Sequence, residues 1–179
     1  MPEIVNVVAS GKLGREIDVS SVGEDIDASV SYPEKDYTND VVYLRRDEGS
    51  PMVTLFRSRS YHITGGNSLD ETERMKDWMV DVLGELGIET SPTFAIKNVV
   101  QTADIGRDVN LNALTIGLGL EQTEYEPEQF PGVVYRPPDI DCVFLVFGSG
   151  KVVIPGASDV ETGAEGFEML KSRIEDLLG

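Results

Sequence analysis

The stretch Ile4–Ser10, IVNVVAS, returns as Ile96–Thr102, IKNVVQT, and Gly14–Val22, GREIDVSSV, returns at the same offset as Gly106–Leu114, GRDVNLNAL. A repeat of this length fixes the architecture before any propensity is weighed. The same offset carries Val41, Val42 and Tyr43 onto Val133, Val134 and Tyr135. An offset one residue shorter carries Phe56 onto Phe147 and Ile63–Gly65 onto Ile154–Gly156. The chain reads as one α+β unit written twice, split near residue 91 into a first repeat, 1–90, and a second, 91–179.

Each unit presents its signals in the same order. An alternating β-branched run, Glu3–Ser10, leads to Asp18, a residue suited to cap a short helix from Val19, and strand-like runs punctuated by Gly, Pro and Asn follow. A long helix closes the unit. In the first, Ser68 and Glu71 predict a capping box ahead of Met75, Trp78, Met79, Val82, Leu83 and Leu86, which fall on one helical face. In the second, Phe167, Leu170, Ile174 and Leu177 repeat the stripe. A helix covers only one face of such strands, and the other face is also rich in Val, Phe and Ile. Left uncovered, that second face is an apolar patch of the kind that marks a binding surface.

Composition bounds the function. The 179 residues hold 15 Lys and Arg against 32 Asp and Glu, a formal net charge of −17. At ordinary salt such a chain repels nucleic acid. An acidic, Lys-poor surface is also what keeps a protein hydrated in concentrated salt, where a Debye length of about 3 Å removes global repulsion; the salt-adapted reading is preferred over a cationic partner. No apolar run is long enough for a bilayer and the start lacks a signal-peptide pattern, so a cytoplasmic protein without membrane association is expected. One cysteine, Cys142, and one histidine, His62, cannot build a four-ligand zinc site, and no metal or cofactor is expected.

The motifs resemble those of the TATA-binding proteins. The resemblance rests on Asn98–Val100, on Phe130–Arg136 reading FPGVVYR, and on Phe147–Ala157 reading FGSGKVVIPGA, together with the duplication, and it covers nearly the whole chain. It implies an archaeal-type factor: two tandem pseudo-symmetric repeats forming a saddle, with a curved ten-stranded antiparallel sheet on double-stranded promoter DNA and four principal helices on the convex side. Asn6 and Asn98 would donate to base acceptors from matching points of the repeats. Val8, Val100, Leu145 and Val153 would line the minor groove, where apolar side chains favour A·T pairs by shape. Phe130 and Phe147 resemble a wedge pair that kinks the duplex. In the first repeat Phe56 matches Phe147 and Thr64 keeps a family threonine, while the segment Tyr32–Tyr37, set against Tyr125–Phe130, offers Tyr37 as the second wedge. Arg45, Arg136 and Lys151 are expected at phosphates. Tyr125–Phe130 resembles the loop that transcription factor B contacts, with Glu126 and Glu128 as its acidic side.

Plainer readings compete at several positions. Isolated asparagines usually serve turns and isolated phenylalanines usually fill cores; recurrence of Asn6 as Asn98, and the Pro-Gly that follows Phe130, argue otherwise. The run Gly148–Lys151, GSGK, lacks the first glycine and the Ser or Thr of a phosphate loop, so a hairpin turn is expected. His62 has no ligand partners at a useful spacing and is expected to face the groove. Asp139 and Asp141 read as solvated surface, and Cys142 has no basic neighbour in sequence to activate it. Arg45, Arg46, Arg57 and Arg59 form either a phosphate-facing cluster or plain surface. The sequence offers no convincing nucleophile and base pair, metal cluster or cofactor loop, and the two copies share no candidate catalytic residue, so an enzyme is the least favoured class. The favoured function is a general transcription initiation factor that binds and bends TATA-box DNA and recruits transcription factor B and, through it, the RNA polymerase pre-initiation complex. The alternative is a divergent regulatory or protein-interaction module of the same fold with weak or no DNA binding.

Overall fold

The computed structural model describes residues 1–19, 21–22, 41–157 and 159–179. They form two compact units, one of Asn6–Lys97 and one of Met1–Val5 with Asn98–Gly179. The first-repeat elements are β1 (Glu3–Lys12), β2 (Val41–Arg45), β3 (Met52–Phe56), β4 (Ser60–Gly66) and α1 (Leu69–Glu85). The second repeat has β5 (Ala95–Asp104), α2 (Leu111–Leu118), β6 (Thr123–Glu124), β7 (Val133–Tyr135), β8 (Phe144–Val146), β9 (Lys151–Ala157) and α3 (Val160–Leu178). Neighbouring strands run β2-β3-β4-β1 in one and β5-β9-β8-β7-β6 in the other, and every pair within each set is antiparallel.

The α+β repeat is therefore as expected, while the element count differs. The described residues hold nine strands and three whole helices, with part of a fourth from Val19, against ten and four. The position matching β6 in the first repeat lies outside the described residues. Of the short first-repeat helix, Val19, Ser21 and Val22 are helical. Asp18 caps it as anticipated: its Oδ1 accepts from Ser21 N at 3.3 Å and its carbonyl from Val22 N at 3.0 Å.

The long helices show how sequence sets their ends. Ser68 Oγ accepts from Glu71 N at 3.0 Å, while Glu71 Oε2 accepts from Asn67 N at 2.8 Å, one residue upstream of the usual capping-box partner. At the other end Gly87 N donates to Gly84 O and Ile88 N to Leu83 O, and Gly87 takes φ 79°. This is a Schellman closure, whose left-handed residue a glycine occupies without a Cβ penalty. Thr72, Met75, Met79 and Leu83 are buried beneath α1, with Trp78, Val82 and Leu86 half-buried. Asp159 caps α3 through Thr162 N, and Phe167, Leu170 and Ile174 are buried. Leu177 departs from the expected stripe, being 43 % exposed. It lies across α2 instead, where a Cβ on Gly117 would stand 2.7 Å from Leu177 Cδ1.

Strand register corrects one step of the repeat alignment. Val42 pairs with Leu55 and Leu44 with Val53, whereas Val133 pairs with Val146 and Tyr135 with Phe144. Leu55 and Val53 match Val146 and Phe144 by the shorter offset, so Val42, Tyr43 and Leu44 stand with Val133, Val134 and Tyr135. Burial agrees, since Val42, Leu44, Val133 and Tyr135 are all buried. A slip of one residue would turn each side chain to the other face of its strand, and a Val-Val run in sequence conceals such a slip.

Each unit has its own core. Val42, Leu44, Val53, Leu55, Tyr61 and Ile63 meet Met75, Met79 and Leu83 in one. Val133, Phe144, Val146, Val152 and Ile154 meet Leu114, Phe167, Leu170 and Ile174 in the other. The alternate residues of the same strands make the opposite, open face. No described helix is long and apolar enough to cross a membrane.

Candidate nucleic-acid interface

The open face of each unit carries one of the two asparagines. In β1 the buried Val7 and Ala9 alternate with half-buried Ile4, Asn6, Val8 and Ser10; in β5 the buried Val99, Gln101 and Ala103 alternate with half-buried Asn98, Val100 and Thr102. A register shift falls at the same point in both, between Val7 and Ala9 and between Val99 and Gln101. Asn6 Oδ1 accepts from Gly65 N at 2.8 Å. That bond assigns the amide orientation and leaves Nδ2 as a donor, which suits the acceptor-only edge of an A·T pair.

Across the second repeat, pairing aligns Thr102 with Val153, Val153 with Leu145, and Leu145 with Val134. All four are half-buried. At the end of this apolar shelf the Phe130 and Phe147 rings meet edge to face, with centroids 5.7 Å apart and planes at 68°. Phe130 is 37 % exposed, and it is held at a turn where Glu126 O accepts from Gln129 N and Phe130 N. The pair leaves no room beneath it: a Cβ on Gly132 would stand 3.0 Å from the Phe130 ring and 3.1 Å from the Phe147 ring. Glu126 and Glu128 are exposed on the same turn.

The first repeat lines the equivalent row differently. Ser10 pairs with His62, His62 with Thr54, and Thr54 with Tyr43. Thr64 and Phe56 are half-buried on this face. Phe56 meets the ring of His62, not a second phenyl, at 4.9 Å and 65°. Tyr37 lies outside the described residues. His62 is exposed on the open face, and its neighbours Thr54 and Tyr43 are the face residues that the sequence reading passed over. Alternation outward from Thr64 and Phe56 was the signal that could have found them.

Lys151, Arg136, Arg46 and Arg59 carry acidic partners. Lys151 Nζ lies 3.0 Å from Asp104 Oδ2 and Arg136 Nη1 lies 3.1 Å from Glu124 Oε1. The Asp104 carboxyl is held below its usual range by the Gly106 N–H first and by Lys151 second. Arg46 pairs with Asp47, and Arg59 with Glu16, whose carboxyl that guanidinium lowers. Arg45 is half-buried, and its shielded Nε has no hydrogen-bond partner. Exposed pairs of this kind are worth about 0.2–1 kcal/mol and open readily for a competing phosphate. The expected hairpin replaces any phosphate loop at GSGK: Phe147 N donates to Lys151 O and Gly150 N to Phe147 O. Burial pushes the Cys142 thiol up to about 11, which leaves it un-ionised and unreactive at neutral pH.

The family model described as "Transcription factor TFIID (or TATA-binding protein, TBP)" matches residues 1–86 and again 93–177. The chain belongs to the TATA-binding protein family. It is 45 % identical to TATA-box-binding protein C of the halophilic archaeon Halobacterium salinarum, over 98 % of both chains. It is 43 % identical to the TATA-box-binding protein of Natronomonas pharaonis, over 97 % of this chain and 92 % of that one. Among solved structures, the Methanococcus jannaschii TBP superposes with a TM-score of 0.81 at 36 % identity, covering 98 % of each chain. Membership in the TATA-binding protein family accounts for the duplication and for a strand face left bare in each repeat. The halophile relatives agree with reading the −17 charge as salt adaptation.

Proposed function

We propose that this protein is a general transcription initiation factor that binds A·T-rich promoter DNA through the minor groove, bends it, and recruits transcription factor B and with it RNA polymerase. The observation that carries the reading is the second repeat's bare shelf, Val100, Val153 and Leu145, ending in the edge-to-face Phe130–Phe147 pair. The aliphatic side chains of Val100, Val153 and Leu145 carry no hydrogen-bonding atoms and fit a groove floor with no protruding amino group. Paired phenyl edges can enter a base step, at a cost of a few kcal/mol that the wider contact offsets. Asn6 and Asn98 supply donors to the acceptors, Arg136 and Lys151 exchange their carboxylates for phosphates, and Arg45 offers a guanidinium whose Nε has no hydrogen-bond partner. Concentrated salt screens the repulsion between the acidic surface and the duplex. The exposed turn at Glu126 and Glu128 offers factor B an acidic contact.

The test is competition binding in molar potassium chloride with duplexes in which every A·T pair is replaced by inosine·cytosine. That change rewrites the major groove but leaves the minor groove without an amino group. Binding should be retained within a few-fold. Loss of binding to the inosine duplex but not to the A·T duplex would place recognition in the major groove, and failure to bind either would favour a protein-interaction module.

A further inference from the structure

We infer that the first repeat accommodates a G·C pair in its half of the site, through His62 and Thr54, while the second repeat excludes one. The inference rests on the minor-groove reading above and concerns what each half selects. The two rows occupy matching positions: Ser10, His62, Thr54 and Tyr43 in one, Thr102, Val153, Leu145 and Val134 in the other. The central pair is aliphatic in the second repeat and polar in the first. A guanine adds one feature to the groove floor, its N2 amino donor. Against Val153 and Leu145 that donor is buried without an acceptor. A neutral imidazole offers one acceptor nitrogen, and the Thr54 and Tyr43 hydroxyls each accept as well as donate. The same groups can donate to adenine N3 or thymine O2, so the first repeat keeps its hold on an A·T pair. Phe56 packs edge-on against His62, and alternation along β4 sets the imidazole on the open face.

The experiment uses a palindromic A·T-rich duplex, on which the protein can bind either way round. One G·C pair in one half should then fall to the first repeat and change affinity by less than about threefold. G·C pairs in both halves should lower it by about tenfold or more, within the range typical of a mismatched base pair. In the double variant His62→Val with Thr54→Leu, at exposed and half-buried open-face positions, one G·C pair should already cost that factor. The reciprocal variant Val153→His with Leu145→Thr should tolerate G·C in both halves. Inosine·cytosine at the same positions should bind like A·T throughout, because only the amino group is removed. The inference is overturned if one G·C pair costs the wild type as much as it costs the His62→Val, Thr54→Leu protein, or if inosine does not restore binding. Failure to bind the unsubstituted duplex would instead overturn the minor-groove function itself.

Discussion

Replacing Gly150 with alanine is expected to destabilise the protein far more than making the same replacement at the matching turn position, Arg59. Both residues sit in the left-handed region, at φ 88° and 72°. At Gly150 a Cβ would stand 2.2 Å from Arg107 O and 3.1 Å from Arg107 C, both backbone atoms. That backbone has little freedom to retreat, since Ile105 N donates to Gly150 O and Val109 N to Gly148 O on either side of it. The left-handed conformation costs a side chain about 1–2 kcal/mol. Overpacking adds about 1–3 kcal/mol, and the stiffer unfolded chain of alanine returns about 0.5–1 kcal/mol. The net loss is about 1–4.5 kcal/mol, which for a chain of this size lowers Tm by about 2–18 °C. Arg59 already carries a Cβ, so Arg59→Ala forfeits only a solvent-screened pair with Glu16 and should leave Tm nearly unchanged. Thermal unfolding followed by circular dichroism in molar salt decides the matter. Equal shifts for the two variants, or a neutral Gly150→Ala, would refute the steric reasoning.

Other expectations follow from single contacts. Tyr61 is buried and donates to Thr93 O, and burial raises its phenol to about 12 from an ordinary 10. A raised folded value means that this contribution to stability is whole below pH 10 and is lost as pH climbs toward 12. Tyr61→Phe should cost about 1 kcal/mol at neutral pH and flatten the alkaline limb of a Tm-against-pH curve; an unchanged limb would count against it. Phe130→Ala should reduce bending of an A·T-rich duplex in end-labelled fluorescence transfer while moving Tm by less than about 4 °C, because the ring sits at an exposed turn tip. A Tm loss as large as a core truncation would mark Phe130 as packing. Reversing Glu126 and Glu128 to lysine should weaken a ternary complex with factor B in a gel-shift assay and leave binary DNA binding nearly intact; equal loss in both would dismiss that turn as the contact.

Much of this fold was legible because it is written twice. The capping residues Asp18 and Ser68, the buried stripe of α1, and the hairpin at GSGK all follow from local chemistry that tertiary contacts did not override. The phase of β2 was not legible. Val41 and Val42 are interchangeable in sequence, and only pairing with β3 decides which one faces the core. Leu177 matched the periodicity of its helix yet found Gly117 of α2 as its neighbour, a contact no single-helix pattern contains. At the candidate interface, motifs pointed to the asparagines and phenylalanines. The partners of Lys151 and Arg136, Asp104 and Glu124, are distant in sequence and emerge only when strands pair. The polar row of the first repeat stayed hidden because Thr54 and Tyr43 are ordinary strand residues until register sets them beside His62.

The central claim, that the bare strand faces grip and bend A·T-rich DNA despite a net charge of −17, is tested most directly by fluorescence transfer between the ends of such a duplex, titrated with protein in molar potassium chloride. The account predicts saturable binding with increased transfer as the ends approach, and loss of most of that increase in the Phe130→Ala, Phe147→Ala double variant. Saturable binding with no change in transfer, or no binding at any salt concentration, would contradict it.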